Sequence, residues 1–309
     1  MRRITSVELL DLGLLKPDEV QGNLDDLWRI NRYLGGVSGS LSLLGRYFRR
    51  TGRRRLRVLD VGAGDGRLAG SLRRELRHWG IEAEFFVLDC RLSHLEVGRP
   101  VTEGLHPVVA NAVALPFRER SFDLVTCNLF LHHFSGERAL ALLGALGSVA
   151  RDAVVINDLA RHWLPFLFVR VAPWFWRHRA SRLDGMASVR QAYTRSELEE
   201  LASAAGFGDF EVYPMAPFRL GLTLWNTPSP AAENRVKAEA VNVYISRQEK
   251  AYDPRMENYS EHCPAFHSQS DRPQPLRPAE RSSLLDGRHH SNDRQEVRIR
   301  SGGHHGKTR

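Results

Sequence analysis

Apolar residues recur along this chain in two alternating rhythms. From Leu56 to Val61 they run almost without interruption, as in a buried strand. From residue 68 they return at Leu68, Leu72, Leu76 and Trp79, the spacing of one helix face. Between the two lies Gly62-Ala63-Gly64-Asp65-Gly66-Arg67. Glycine suits such a turn because it takes unusual φ values and lets a ligand approach the backbone. The alternation then repeats. Glu82 to Leu88 reads as a strand ending in Asp89, a short strand lies around Val108-Val109, and Ser121 to Phe130 reads as a fourth strand. An apolar helix, Ala139 to Val149, leads to a fifth strand, Asp152 to Ile156, that ends at Asn157-Asp158. Thr194 with Glu197 forms a capping box for a helix, Ser196 to Ala205, closed by Gly206. Phe210 to Tyr213 and Leu220 to Trp225 supply the last two strands. Strand, tight turn and helix in repetition predict an α/β, Rossmann-like, doubly wound sheet with helices on both faces. Ligands of such sheets sit beyond the strand C-termini.

Other stretches depart from that rhythm. Ahead of the first strand, Leu24, Leu27, Asn31 and Leu34 keep helical spacing up to Gly35-Gly36, and Val37, Leu41, Leu44 and Phe48 do the same. Residues 159–193 form an insertion rich in aromatics: Trp163, Phe166, Phe168, Trp174, Phe175 and Trp176. Pro165, Arg170 and Pro173 interrupt it, so it neither spans a bilayer nor makes one clean helix. From Asn226-Thr227-Pro228 onward the chain turns polar and rich in Pro, Ser, Arg and His, with only isolated apolar clusters such as Val241 to Ile245. That composition predicts a disordered tail over 227–309, because it buries too little surface to offset ordering entropy. A shifted reading frame would give a similar tail. His289-His290 and His304-His305 are expected to be solvated rather than metal-binding.

Composition narrows the function. The 309 residues carry a formal charge of +8, yet Lys16, Lys237, Lys250 and Lys307 are the only lysines. A GC-rich coding sequence gives that arginine bias without selection for phosphate binding, so no nucleic-acid groove is expected. Cys90, Cys127 and Cys263 are odd in number and lack C-x-x-C spacing, so neither a disulfide framework nor a zinc site follows. Glu8 and Asp11 interrupt any apolar signal-peptide region behind Met1-Arg2-Arg3, and no run approaches the roughly 20 apolar residues of a membrane span. The expected setting is cytoplasmic.

The glycine spacing decides what the turn holds. Gly62, Gly64 and Gly66 are followed by Arg67, where the dinucleotide fingerprint needs a small residue, and the G-x-x-x-x-G-K phosphate loop is absent. Asp60 with this turn resembles motif I of class I S-adenosylmethionine (SAM)-dependent methyltransferases. Asp89, Asn111-Ala112 ahead of Leu115-Pro116-Phe117, Phe122-Asp123-Leu124-Val125 and Leu131-His132-His133-Phe134 follow in the family's order. The last two segments look like the ubiquinone/menaquinone-biosynthesis branch. The resemblance covers roughly residues 55 to 160. It implies a seven-stranded sheet whose final strand inserts antiparallel, a helical N-terminal lid (1–50) and a methyltransferase domain (51–226). It implies SAM held by Asp60, Gly62, Ala63, Gly64 and Gly66, by Asp89 at the ribose hydroxyls, by Arg91 beside the adenine, and by Asn111, Ala112 and Asn128. Asn111 stands where Asp is usual, so one charge is missing there.

Methyl transfer to a phenol or enol needs a base, and an imidazole near its own pKa suits that task. His133 and His132, just past the fourth strand, are the candidates, with His162 a competitor. Asp158, with Arg161 and His162, forms a second polar cluster that orients a base, binds substrate or is a local salt bridge. The Asn/Asp-Pro-Pro-aromatic tetrad of amide and adenine N-methyltransferases is missing, since Leu129 and Phe130 follow Asn128. So is the Pro-Cys of cytosine-5 enzymes, since Thr126 precedes Cys127. An aromatic insertion over the acceptor suits a small hydrophobic molecule: a polyketide phenol, quinone precursor, isoprenoid or lipid. The 163–176 stretch adds an expected peripheral membrane or lipid contact. RNA or protein methylation and a non-catalytic SAM-fold module are the alternatives.

Overall fold

The apolar run at 55–61 becomes the centre of a seven-stranded sheet. In the computed structural model, residues 1–226 are described apart from Val7, Leu14 and residues 99–102. The tail expected over 227–309, with its Val241–Ile245 cluster and histidines, lies outside the described residues. The strands are β1 (Arg55–Val61), β2 (Glu82–Asp89), β3 (His106–Val109), β4 (Phe122–Asn128), β5 (Ala150–Leu159), β6 (Asp209–Met215) and β7 (Arg219–Trp225). Their order is β3-β2-β1-β4-β5-β7-β6. β1 pairs in parallel with β2 and β4, whereas β7 lies antiparallel between β5 and β6. This is the architecture expected from the sequence.

Side-chain alternation along β1 explains the two layers. Leu59 and Val61 face a core with α6 (Gly136–Val149) and α9 (Arg195–Ala204), through residues such as Leu142, Leu146 and Leu201. Leu56 and Val58 face the opposite core, filled by α3 (Gly36–Thr51), α4 (Arg67–His78) and α5 (Leu92–Gly98) with Leu44, Tyr47, Leu72 and Leu95. A third apolar cluster joins Ile30 of α2 (Pro17–Tyr33) to Val169 of α7 (Trp163–Val171) and Val189 of α8 (Arg179–Gln191). The aromatic insertion is therefore two helices joined through a short 3-10 turn, Pro173–Phe175. A single-turn helix α1 (Leu9–Leu12) touches α8.

Two details bear on the site. β5 is longer than its apolar run suggests, so Asn157 and Asp158 are buried strand residues paired with β7. Beyond β4, Leu129 adopts a left-handed conformation (φ 49°), which turns the chain sharply into the 3-10 segment Leu131–His133. A polar seam ties α2 and α3 to the sheet. Asn157 Nδ2 donates to Gly35 O, Gly36 O and Ser40 Oγ, while the fully buried Arg219 donates to Leu34 O and Asn31 Oδ1. Burial pulls the Arg219 guanidinium down to about 10.

Candidate active site

The glycine turn crosses from β1 to α4 with Gly62, Gly64 and Gly66 all at positive φ (68°, 57° and 73°). These are conformations that side-chain-bearing residues avoid. The turn is held from three sides. Ala63 N donates to Leu88 O, and Gly64 N donates to Asp89 Oδ2 at 2.9 Å. Arg67 Nη1 reaches Asp25 of α2 at 2.7 Å while its Nε reaches Asp65. Arg67, which only excluded a dinucleotide fingerprint in the sequence, thus fastens α2 over the turn.

A polar cavity of about 410 Å³ opens there, walled by Asp60, Gly62, Ala63, Gly64 and Asn128 below and by Leu24, Leu27 and Trp28 of α2 above. Asp60 is buried beneath it, accepting from Thr126 Oγ1 at 2.7 Å and Asn128 Nδ2 at 3.4 Å. Burial pushes its carboxyl up to about 6, and these two hydrogen bonds moderate the rise. Asn128 Oδ1 in turn accepts from Ser40. A Cβ on Gly64 would stand in this cradle with only Leu24 nearby, at 3.5 Å. Gly62 is required for a different reason: a Cβ there would lie 2.4 Å from the Phe130 ring. We therefore expect unequal costs. Gly64→Ala should cost about 1–2 kcal/mol of folding stability through φ strain, and Gly62→Ala about 1–3 kcal/mol more through overpacking. Urea denaturation measures both, and equal losses would show that Phe130 moves aside freely.

The remaining predicted cofactor residues are placed less uniformly. Asp89 accepts from Gly64 N and Arg91 N, and its Oδ1 lies 3.2 Å from His94 Nδ1. Three of a carboxylate's roughly four acceptor positions are thus occupied, leaving room for one further donor. The expectation that it accepts both ribose hydroxyls is narrowed accordingly. The Arg91 guanidinium lies against Gly13. Asn111 Oδ1 accepts from Val113 N in a local turn, and neither it nor the buried Ala112 lines the cavity. Asp89, Arg91 and Gly66 also stand outside the lining, and Gly66 opens α4.

A second, larger cavity of about 730 Å³ lies beside the first. Its walls are mostly apolar: Ile30 and Leu34 of α2, Phe168 and Val169 of α7, Trp176 and Val189. Its polar groups come from Glu8, Asn23, His132, Ser181, Asp184 and Ser188. Leu27 lines both cavities, and the consecutive residues Asn128 and Leu129 line one each.

His132 is the imidazole that lines this cavity. It is 3% exposed, and its Nδ1 lies 2.7 Å from Asp158 Oδ1 while its backbone N donates to Asp158 Oδ2 at 3.0 Å. Its Nε2, without a hydrogen-bond partner among the described residues, lies 3.4 Å from Glu8 Oε1. Burial alone would depress the imidazole. The Asp158 charge, the hydrogen bond to Asp158 and the Glu8 carboxylate close to Nε2 outweigh burial and raise its pKa above the ordinary histidine value. Burial likewise opposes ionisation of Asp158, but the His132 charge and hydrogen bonds keep that carboxyl below its usual range. His133 stacks on His132 at 4.3 Å between ring centres and lies 4.0 Å from Glu8, but it does not line the cavity.

The polar cluster expected around Asp158 is not assembled. Arg161 pairs with Glu197 and donates to Ala192 O, and His162 caps α7 by accepting from Leu164 N. Asp158 serves His132 instead. Glu8 and Asp184 were not singled out for the site, although Glu8 is a lone charge in the apolar run Val7-Glu8-Leu9-Leu10. Arg3 seats this segment by donating to Gln191 O and Phe134 O while stacking on Tyr193. Asp184 accepts from Leu9 N, Leu10 N and Asn23 Nδ2. Burial and the neighbouring Glu8 charge push it up to about 7.

Comparison with known proteins matches this geometry to a family. Residues 58–152, from β1 into β5, match the family described as "Methyltransferase domain". This stretch of the chain is similar to class I SAM-dependent methyltransferase domains. The ubiquinone/menaquinone biosynthesis C-methyltransferase UbiE of Xylella fastidiosa (strain M12) is 30% identical to it over 168 residues, 49% of this chain and 65% of that protein. An Arabidopsis thaliana tRNA (carboxymethyluridine(34)-5-O)-methyltransferase is 28% identical over 117 residues, 38% of this chain but 24% of its own length. The chain thus spans just under two thirds of the UbiE relative that it matches. The plantazolicin methyltransferase BpumL, solved with SAH, aligns with a TM-score of 0.52 at 14% identity, covering 69% of this chain and 95% of its own. That likeness shows the fold. Domains of this kind have SAM as their cofactor, and the residues at the glycine turn fit that ligand: a Cβ-free cradle at Gly64 beside polar groups from Asp60 and Asn128. No helix among the described residues is long and apolar enough to cross a membrane.

Proposed function

We propose that this protein transfers the methyl group of SAM to an oxygen or carbon of a small hydrophobic acceptor held in the larger cavity. One observation carries the reading: an apolar cavity with a buried His132–Asp158 pair adjoins the cavity at the glycine turn, with Leu27 walling both. When bound, SAM supplies an electrophilic methyl on a sulfonium. Asp60, Gly62, Gly64, Asp89 and Asn128 bind and orient it. Apolar walls exclude water and hold the acceptor close, which converts an encounter into a unimolecular step. His132 takes the acceptor's proton at Nε2, while Asp158 fixes the ring and stabilises the imidazolium that results. Glu8 beside Nε2 supports the same charge. His133 and Phe130 buttress the turn that carries His132.

A cavity enclosed between α2, α7 and α8 suits a compact phenol, quinone precursor or isoprenoid better than a polymer. The test uses methyl-labelled SAM with cell extract divided into organic-soluble, RNA and protein fractions. Label is expected in the organic-soluble fraction. Label confined to RNA or protein would overturn the acceptor assignment.

A further inference from the structure

Helix α7 is apolar on every side, although one side only meets the protein. Pro165, Phe168 and Val169 face the larger cavity. On the outside, Trp163 is 58% and Trp174 of the following 3-10 turn 78% exposed, with Leu164, Leu167 and Val171 also open to solvent. A helix apolar all round belongs in a core or against an apolar phase, and contiguous exposed apolar patches mark interaction sites.

The charge carried by this stretch has one sign. Residues 159–183 contain five arginines and not one Asp or Glu. Arg161 is spent on Glu197, but the side chains of Arg170, Arg177 and Arg179 are exposed beside the patch. Tryptophans at the edge of an apolar face, in a stretch that carries exposed arginines and no acidic residue of its own, match a bilayer interface. Indole rings settle at headgroup level there, and guanidinium groups meet anionic lipid. The backbone beneath is anchored, since Arg177 N and His178 N donate to the buried Asp26 of α2. The patch is thus a fixed face.

We propose that the outer face of α7 and the 3-10 turn is a docking surface for an anionic lipid bilayer. Docked this way, the helix would separate lipid from the acceptor cavity by its own thickness. That consequence rests on the proposed acceptor site, whereas the docking does not.

The test is co-sedimentation of the full chain with vesicles, without SAM or acceptor. One set contains about one-third phosphatidylglycerol in phosphatidylcholine and the other phosphatidylcholine alone. Binding at least about tenfold tighter to the anionic set is expected, weakening with added salt. The double variant Trp163→Ser/Trp174→Ser should lose about tenfold or more of that binding. The triple variant Arg170→Gln/Arg177→Gln/Arg179→Gln should lose about a hundredfold. If the tryptophan variant fails to fold, the arginine variant, altered only at exposed side chains, still decides. No binding to either set, equal binding to both, or variants that bind like wild type would overturn the proposal. So would a concentration-dependent dimer that the tryptophan changes dissolve, which would make this face an interface between copies. Because no methyl transfer is measured, failure here leaves the catalytic reading intact, and the reverse also holds.

Discussion

Replacing His132 by Gln is expected to lower turnover by about 100- to 10,000-fold, the range for loss of a positioned base, while SAM affinity stays unchanged. The separation follows from geometry: His132 lines the acceptor cavity, not the cavity at the glycine turn. Its raised pKa makes the wild-type rate climb with pH on the alkaline side of the ordinary histidine value, because the base must first lose its proton. Asp158→Asn removes the charge that holds this pKa up, so burial then dominates and the climb should move to lower pH. His133→Gln should have a smaller effect, since that ring supports its neighbour from outside the cavity. Glu8, His132 and His133 also offer ligand atoms within 4.8 Å of one another, a donor set that suits a divalent cation. A rate unchanged by chelator supports the base. A rate abolished by chelator and restored by metal would replace it with a metal centre, and near-normal turnover by His132→Gln across the pH range would remove both.

The sheet was legible because its central parallel strands are largely buried on both faces and read as short apolar runs, while each flanking helix keeps one apolar stripe. β7 was legible as an apolar run, but its antiparallel insertion came from the family resemblance and not from its own pattern. Strand ends were less legible. Asn157 and Asp158 look like residues past a strand, yet pairing with β7 extends β5 through both. At the glycine turn, local chain order is nearly sufficient, because Asp60, Gly62 and Gly64 are sequence neighbours. At His132 it is not. The imidazole meets Asp158 across β4 and β5, and it meets Glu8 through an N-terminal segment more than a hundred residues away. Nothing in periodicity announces that Arg3 seats that segment. Arg161 and His162 show the converse, since proximity in sequence to Asp158 did not bring them to it.

Buried acids should also make the fold more stable at mildly acidic pH than at alkaline pH. Burial raises Asp60 from 3.8 to about 6, and burial with the Glu8 charge raises Asp184 from 3.8 to about 7. An acid with a raised folded pKa binds its proton more tightly folded than unfolded. Its contribution is therefore complete below its unfolded value and is lost as pH climbs to its folded value. His132 acts in the same direction: its raised folded pKa favours the folded state below about 6.5, and the gain disappears as pH passes the folded value. Asp158 opposes them only at the acid end, because a depressed carboxyl loses its contribution as pH falls below about 4. Between those limits the balance is one-sided. Moving Asp60 from 3.8 to about 6 alone corresponds to about 3 kcal/mol. At pH 5 about 1 kcal/mol of that is left to lose, and Asp184 adds about 3 kcal/mol between pH 5 and 7, so urea unfolding should show a free energy about 3–4 kcal/mol higher at pH 5 than at pH 8.5. Asp60→Asn keeps an oxygen for Thr126 Oγ1 but has no proton to bind, so it should reduce the slope between pH 4 and 6 while leaving the part due to Asp184. An unchanged slope in that variant would mean that Asp60 is ionised throughout, with water or the Thr126 and Asn128 donors compensating its burial in full.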